Sequence, residues 1–298
     1  MDEHEHVSVL KAEAIIGLQV QPSAWYVDAT FGRGGHTREI LKRGGNVFAL
    51  DCDESAVQYA QAQFQSALNT IQLIIVQSNF DRLDAEWRKT VAYQNGQTID
   101  GVLFDFGVSS PQLTDPERGF SFQHNGPLDM RMDHRLGVQA KDLLAVLPEK
   151  QLADLFWGYG GEEQSRKIAK EIVKVRTEHP FTTTLELAEF IARHKPRTSH
   201  LHPATKVFQA LRIAVNTELE SIQTALPQAL AVLQPGGRIV TICFHEGEDR
   251  IVKSVFQCWD HEQKGQHLTK KAVSPSEEEV AHNPRSRSAK LRIFEKKY

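Results

Sequence analysis

The chain has 298 residues, of which 40% are hydrophobic and 24% charged, and its formal net charge is −3. This length allows one domain with an insertion or two domains, and the composition is typical of a soluble globular protein. Every apolar run is shorter than a membrane span, and the polar, acidic start MDEHEHVS is unlike a secretory signal. We therefore expect a cytoplasmic protein with no membrane partner.

The three cysteines, Cys52, Cys243 and Cys258, are odd in number and form no C-x-x-C pair. This favours a reducing compartment and argues against a zinc site, so we expect no metal. Basic residues concentrate in two stretches, 166–212 and 264–298. Such local charge suits phosphate groups, although a solvated helix face is the alternative for each stretch.

The first part of the chain alternates strand and helix patterns. Short apolar runs predict buried parallel strands at 25–27, 47–50, 71–76 and 102–104. Helical patterns lie between them at 37–42, 54–68 and 80–92. The alternation predicts βαβ units. Residues 113–135 then predict a long loop, and 140–195 show only helical periodicity, with Thr183 and Glu186 at capping-box spacing.

Alternation resumes after Pro203. We expect a helix over 204–233, a turn at 235–237, a strand at 238–244, a helix from about Asp249 to Cys258 and a last strand at 290–294. The sequence therefore predicts an α/β fold, a doubly wound Rossmann-like sheet with an inserted all-helical domain. The predicted sheet domain comprises 1–112 and 204–298, and the predicted insertion comprises 113–203.

Four predicted strand ends carry glycine or polar residues. Asp28 and the turn GRGG (32–35) follow the first strand, Asp51 ends the second, Ser78-Asn79-Phe80 follow the third, and Asp105 ends the fourth. Open α/β sheets bind ligands at this edge. The turn fits the dinucleotide pattern G-x-G-x-x-G poorly, because the sixth position is Thr37. Asp28 also suits a cationic amino-acid group better than a pyrophosphate.

A carboxylate at Asp51 suits the ribose hydroxyls of S-adenosylmethionine or of NAD. Phe80 either brackets an adenine or packs in the core. After Asp105 comes the turn Ser109-Ser110-Pro111-Gln112, a pattern suited to holding an exocyclic amine, with an ordinary strand exit as the alternative. Together the four strand ends predict an S-adenosylmethionine-dependent methyltransferase.

The chain also resembles the RsmH/MraW family of bacterial enzymes over nearly its whole length. The resemblance is carried by His6 with Val9-Leu10 and by YVDATFGRGGHT (26–37), DGVLFDFGVSSPQLTDPERGFSF (100–122), GPLDMRMD (126–133), YGGEEQSRKIAKEIV (159–173), HPATKVFQALRIAVNTELE (202–220) and NPRSRSAKLR (283–292). Family members methylate the N(4) amine of a cytidine in the decoding centre of 16S ribosomal RNA. The resemblance implies that the helical insertion forms an RNA cleft with the catalytic domain.

By this resemblance, S-adenosylmethionine contacts Gly34, Gly35, His36, Asp51, Phe80, Asp105 and Gln112. We expect Ser110 and the Pro111 carbonyl to face the amine, with Asp105 on the cofactor side; the proton acceptor, Asp133 or water, stays open. The expected RNA contacts are Arg118, Arg131, His202, Lys206 and Arg250. Phe120 and Phe122 either stack on bases or pack in the core, and His245 lies near the substrate or is structural.

One segment departs from the family pattern SFHSLEDR. Here Glu246-Gly247 replace the Ser-Leu pair, which adds a negative charge and a flexible point beside the expected RNA cleft. The expected partner is the small ribosomal subunit, as free RNA or assembled, and a homodimer is one open alternative. Three other functions compete: methylation of a protein or small-molecule amine, nicotinamide-dependent oxidoreduction, and non-catalytic ribosome binding.

Overall fold

A computed structural model describes residues 8–196 and 201–297, so His6 and Arg197 of the stretches above lie outside the described residues. The chain divides into two compact units. The sheet unit comprises Met1–Gly107 and Leu219–Tyr298, and the helical unit comprises Val108–Glu218. No helix in the described ranges has both the length and the apolar character needed to cross a bilayer.

The strands are β1 (Trp25–Asp28), β2 (Asn46–Asp51), β3 (Leu73–Gln77), β4 (Ile99–Asp105), β5 (Leu233–Cys243), β6 (Gly265–His267) and β7 (Lys290–Lys296). The α-helices are α1 (Lys11–Leu18), α2 (Gly35–Lys42), α3 (Glu54–Gln63), α4 (Gln65–Asn69), α5 (Leu83–Trp87), α6 (Val91–Gln94), α7 (Ser110–Thr114), α8 (Ala140–Val146), α9 (Glu149–Gly160), α10 (Ser165–Val175), α11 (Thr184–His194), α12 (Thr205–Asn216), α13 (Glu218–Val232), α14 (Glu246–His261) and α15 (Glu277–His282).

The strands of the sheet unit form one seven-stranded sheet in the order β3-β2-β1-β4-β5-β7-β6. The first five strands pair in parallel, whereas β7 runs antiparallel to both β5 and β6. The strand order reverses at β1, which pairs with β2 on one side and β4 on the other. The predicted doubly wound Rossmann-like α/β sheet is confirmed, and β1 to β4 coincide closely with the four apolar runs.

The helical unit has its own hydrophobic core. Its buried side chains come from α8 to α12 and from the segment before them, and include Phe120, Leu152, Phe156, Ile168, Leu187 and Phe208. Helix α9 packs against both α10 and α12. Phe122 packs on this core, with its ring centroid 4.7 Å from that of Phe208. Core packing is therefore the role that the structure gives to Phe120 and Phe122.

The boundaries of the helical unit differ from the predicted ones. The helix expected over 204–233 is two helices, α12 and α13, separated at Thr217, whose backbone is left-handed with a φ of 48°. Helix α12 buries Val207, Phe208 and Leu211 in the core of the helical unit. The unit therefore extends to Glu218, rather than ending at residue 203, and it begins at Val108.

A buried asparagine fixes the segment 126–133 to α12. The Asn216 side chain donates to the carbonyl oxygens of Met130 (2.7 Å) and Arg212 (2.8 Å), and it accepts a hydrogen bond from the Met132 amide (2.7 Å). Met130 is fully buried, so its carbonyl needs a protein partner. Asn216 therefore satisfies a loop that cannot pair within a strand or a helix.

We predict that Asn216→Ala lowers the free energy of unfolding by about 2–4 kcal/mol, because it removes the partners of the buried Met130 carbonyl and of the partly buried Met132 amide. Urea denaturation of the purified variant measures this loss. Asn69→Ala is the matched control, because Asn69 is exposed at the end of α4, and we expect a change within about 0.5 kcal/mol. Equal urea midpoints for Asn216→Ala and Asn69→Ala would contradict the stabilising role given to Asn216.

Candidate functional site

Three aspartates end neighbouring strands at one edge of the sheet. In the parallel register, Asp28 of β1 lies beside Ala49 of β2 and Leu103 of β4. Asp51 and Asp105 each lie two residues further along their strands. The three carboxyl groups therefore share the carboxyl edge of β1, β2 and β4, where open α/β sheets bind ligands.

The turn after β1 has a backbone that favours glycine. Gly32 has a φ of +56° and Gly34 a φ of +68°. A Cβ on Gly34 would lie 2.6 Å from the Phe64 ring and 2.7 Å from the Phe31 ring. The amide of Gly32 donates to Asp51 Oδ2 at 2.7 Å. The turn is thus fixed to the end of β2, and it brings the backbone of Gly34 and Gly35 close to the sheet edge.

Asp28 stabilises the structure of this turn. It is buried, it accepts a hydrogen bond from Thr37 Oγ1 at 2.6 Å, and its Oδ1 accepts one from the Thr30 amide at 3.3 Å. Burial raises the pKa of Asp28 above its usual value, although the nearby His36 and the hydroxyl of Thr37 oppose this. The sequence alone did not assign a role to Thr30 or Thr37. The one feature that could have pointed to them is their position on either side of the glycine turn.

Buried His36 and partly buried Asp105 form a polar pair. The His36 side chain is 4% exposed, and its Nε2 lies 3.4 Å from Asp105 Oδ2. Within the described chain, neither ring nitrogen of His36 has a hydrogen-bond partner, nor has Asp105 Oδ1. The backbone amide of Asp105 donates to Thr30 Oγ1 at 2.7 Å, which fixes the strand end. Buried polar atoms seldom stay without partners, so this pair is suited to receive the polar groups of a ligand.

Asp51 carries a perturbed carboxyl group. Burial raises its pKa to about 6, while hydrogen bonds from the backbone amides of Asp53 and Gly32 act in the opposite direction. These amides bind Asp51 Oδ1 at 2.9 Å and Oδ2 at 2.7 Å, so both oxygens are oriented by the backbone. Asp53 in turn caps α3 by accepting a hydrogen bond from the Ser55 amide.

Phe80 opens a short 3-10 turn after β3. Its ring centroid lies 5.8 Å from that of Phe104 and 5.7 Å from that of Phe106, and the residue is partly exposed. Asn79 caps this turn and also donates to Ser221 Oγ at 3.2 Å. Phe80 therefore packs on the aromatic end of β4 and still presents some surface, which is consistent with either predicted role.

The predicted amine-binding segment forms the short helix α7. The Ser109 amide donates to Gln112 Oε1 at 2.9 Å, and Gln112 is buried. The Pro111 carbonyl accepts hydrogen bonds from the Asp115 amide at 3.0 Å and from Thr114 Oγ1 at 3.3 Å. Thr114 Oγ1 lies closer to the Ser110 carbonyl, at 3.1 Å, and a hydroxyl donates only one hydrogen, so the Pro111 carbonyl keeps an acceptor direction for an amine.

Two arginines predicted to contact RNA hold a loop of the helical unit. Arg118 donates to the carbonyls of Arg131 (3.0 Å) and Met132 (3.1 Å). Arg131 forms two hydrogen bonds with the Asp129 carboxylate, both at 2.8 Å, and it also donates to the carbonyls of His134 and Leu136. A contact of either arginine with RNA stays a prediction.

Two of the other three predicted RNA contacts are exposed. His202 is exposed, and its ring centroid lies 4.7 Å from that of Phe122. Lys206 donates to the Gly161 carbonyl at 2.9 Å, and Arg250 is exposed on α14. His245 has a structural role, because its Nδ1 accepts a hydrogen bond from the Gly247 amide and so caps α14.

Comparison with known proteins gives consistent matches. The model of the MraW methylase family matches residues 3–297. A protein of Carboxydothermus hydrogenoformans named ribosomal RNA small subunit methyltransferase H is 45% identical over 99% of this chain and 98% of its own length. Proteins of the same name from Limosilactobacillus fermentum and Xylella fastidiosa M23 are 40% and 42% identical, over 99% and 98% of this chain and 99% and 97% of their own lengths.

We predict that the Asp51 carboxyl group titrates near pH 6, well above an ordinary aspartate, because burial disfavours its charged form. The folded state then binds more protons than the unfolded state between about pH 4 and 6, so this group lowers stability as pH rises through that window. Carboxyl ¹³C NMR measures the midpoint, and Asp51→Asn identifies the signal by removing it. A midpoint near 4 would show that the carboxyl group is solvated.

Proposed function

The chain belongs to the MraW methylase family, and we propose that it transfers a methyl group from S-adenosylmethionine to the N(4) amine of a cytidine in 16S ribosomal RNA. The observation that carries the proposal is the pair of buried His36 and partly buried Asp105, which has unpaired polar atoms at the ligand-binding edge of the sheet. The names of the full-length relatives support the small-subunit RNA as the substrate. We place the target cytidine in the decoding centre and the reaction in the cytoplasm.

The residues of the sheet unit fit the cofactor. When bound, S-adenosylmethionine supplies an electrophilic methyl group on a positively charged sulfur. Asp51 is suited to accept hydrogen bonds from both ribose hydroxyls, because the amides of Gly32 and Asp53 already orient its oxygens. We propose that the backbone of Gly34 and Gly35 approaches the cofactor closely, and that Phe80 contacts one face of the adenine. Above pH 6 the Asp51 carboxyl group is ionised and accepts hydrogen bonds most strongly.

We assign His36 and Asp105 to the charged part of the cofactor. A carboxylate with an unpaired oxygen attracts a cationic amino group, and this attraction is strengthened where water is excluded. His36 limits the orientations open to Asp105, since its Nε2 lies 3.4 Å from the carboxylate. Gln112 joins this set as a predicted cofactor contact, with its carboxamide oxygen already oriented by the Ser109 amide.

We propose that the Ser110 hydroxyl and the Pro111 carbonyl hold the target amine. The lone pair of the cytosine amine is delocalised into the ring, so holding the nitrogen in line with the methyl carbon is the main contribution to the rate. Acceptors that bind the amine hydrogens favour the tetrahedral nitrogen that develops in the transition state. The Pro111 carbonyl already accepts a hydrogen bond from the Asp115 amide, so we expect the amine to use its second acceptor direction.

Water is the better candidate for the final proton acceptor. Burial raises the pKa of Asp133, but the hydrogen bonds and charge of Arg135 outweigh this and lower it below the usual value. Arg135 holds both carboxylate oxygens, at 2.9 and 2.7 Å. A carboxylate so stabilised is a weak base, so we propose that the proton leaves to solvent.

The RNA contacts that we propose are His202, Lys206 and Arg250, with Arg118 and Arg131 acting mainly by holding their loop. The target base must leave any stack before it reaches the methyl donor, so binding relies on phosphate contacts and on splayed bases. Lys206 and Arg250 provide the charge for phosphate contacts, and the exposed ring of His202 provides a stacking surface.

A transfer assay tests the proposed reaction. The enzyme is incubated with methyl-labelled S-adenosylmethionine and small ribosomal subunits from cells that lack this modification, and the RNA is digested to nucleosides. We expect the label in N(4)-methylcytidine. Label in ribosomal protein would refute the RNA substrate, and calorimetry that finds tight binding of NAD but not of S-adenosylhomocysteine would refute the cofactor.

We predict that Asp105→Ala loses S-adenosylhomocysteine binding, because it removes the partly buried carboxylate beside His36. Lys206→Ala is expected to weaken RNA binding and to leave the S-adenosylhomocysteine affinity unchanged, since it removes a single phosphate contact of about 1 kcal/mol. Calorimetry measures the first effect and filter binding the second. The site assignment is wrong if Asp105→Ala binds S-adenosylhomocysteine normally.

A further inference from the structure

A cavity of about 240 Å³ opens in the sheet unit beside the start of α14. Its lining comes from the segment between β5 and α14, the first turn of α14, the segment before α15, the segment between α15 and β7, and the start of β7: Phe244, His245, Glu246, Ser274, Arg287, Ser288, Ala289 and Lys290. None of these residues belongs to the cofactor set described above. The lining combines two cationic side chains and two hydroxyl groups with one carboxylate, Glu246.

The carboxylate and one of the cations are paired. Lys290 Nζ lies 2.8 Å from Glu246 Oε2 and 3.2 Å from Asp249 Oδ2. The Glu246 side chain is 80% exposed, so burial does not hold it in place. An ion pair between exposed side chains contributes little to stability, and an anion that competes for the lysine displaces it readily.

The second carboxylate near Lys290 has a stronger partner. Arg292 binds Asp249 through Nε at 2.7 Å and Nη2 at 3.1 Å, and both side chains are only 6% exposed. This buried pair balances the charge of Asp249. Glu246 is therefore the group that neutralises Lys290, whereas the exposed Arg287 adds a further positive charge to the lining.

The helix end itself contributes little to anion binding here. The amide of Gly247 donates to His245 Nδ1, and the amides of Phe244 and His245 donate to Glu248 Oε2. These three amides already form hydrogen bonds in the cap of α14. Any anion in the cavity is bound by side chains, so its affinity depends on Arg287, Lys290 and the position of Glu246.

We propose that this cavity binds a phosphodiester group of the RNA substrate, and that Glu246 occupies Lys290 until the phosphate displaces it. A carboxylate offers the same charge sign and the same kind of acceptor oxygens as a phosphate, so the two compete for one ammonium group. Glu246 thus sets the affinity for RNA at this site. The proposal rests on the RNA substrate proposed above.

Equilibrium binding to a labelled single-stranded RNA that contains the target cytidine tests the proposal. Glu246→Gln is expected to tighten binding about 3- to 10-fold at low salt, because it releases Lys290 for the phosphate. Lys290→Gln and Arg287→Gln are expected to weaken binding by about the same factor. In the double variant, Glu246→Gln should bring no gain once Lys290 is absent.

A matched ion pair provides the control. Lys264 and Glu262 lie 2.6 Å apart, are about half exposed and belong to the sheet unit, but do not line the cavity. Glu262→Gln changes the net charge as Glu246→Gln does, and it should leave RNA affinity unchanged. An equal gain in both variants would show a general charge effect and overturn the cavity assignment, as would unchanged affinity in Glu246→Gln and Lys290→Gln.

Competition distinguishes the two sources of a phosphate group. Inorganic phosphate offers the same acceptor oxygens as the RNA, so it should weaken RNA binding by the unchanged protein more than chloride does at equal ionic strength, and this extra effect should be lost in Lys290→Gln. Binding of inorganic phosphate together with unchanged RNA affinity in Lys290→Gln would assign the cavity to free phosphate instead. The methyl-transfer assay separates this proposal from the function on which it rests. If the RNA is methylated but the variants bind it like the unchanged protein, the cavity assignment alone fails.

Discussion

The hydrogen bond from the Gly32 amide to Asp51 is the contact on which the candidate site depends. It joins the turn after β1 to the end of β2, and it requires a backbone at Gly32 and Gly34 that side chains would strain. With the turn held there, α2 starts at Gly35 and places His36 beside Asp105. The same close packing excludes water from Asp28 and Asp51, and it therefore raises the pKa of both. One local constraint thus sets both the shape and the charge of the sheet edge.

The strand ends were predictable from the sequence because each depends on a short local pattern. An apolar run that ends in an acid or a glycine turn marks the carboxyl edge of a parallel sheet, and β1, β2 and β4 follow this rule. The break at Thr217 was not predictable, because a left-handed threonine has no composition signal and α12 and α13 share one periodicity. Strand β6 was also missed, since three residues that include Gly265 and Gln266 carry no strand pattern. What the sequence could not give are contacts between distant segments, such as those of Asn216.

A conspicuous motif does not by itself distinguish a binding residue from a structural one. Arg131 lies in the segment GPLDMRMD, yet four of its five guanidinium N–H groups donate to Asp129 and to carbonyls of the same loop. A long loop without strands or helices leaves many backbone groups unpaired, and arginine can satisfy several carbonyls at once. The arginines of this segment are therefore needed to make the loop a defined surface, whether or not they also touch RNA.

The residues around Glu246 indicate what the Glu246-Gly247 departure from the family pattern changes. The glutamate does not disturb the cap of α14, because His245 and Glu248 make the cap without it. Its carboxylate instead reaches Lys290, 44 residues along the chain. The change therefore affects charge in the cavity and leaves the fold of the helix intact. None of the residues assigned to the cofactor lines this cavity, so under the proposal made for it RNA affinity and cofactor affinity can change independently.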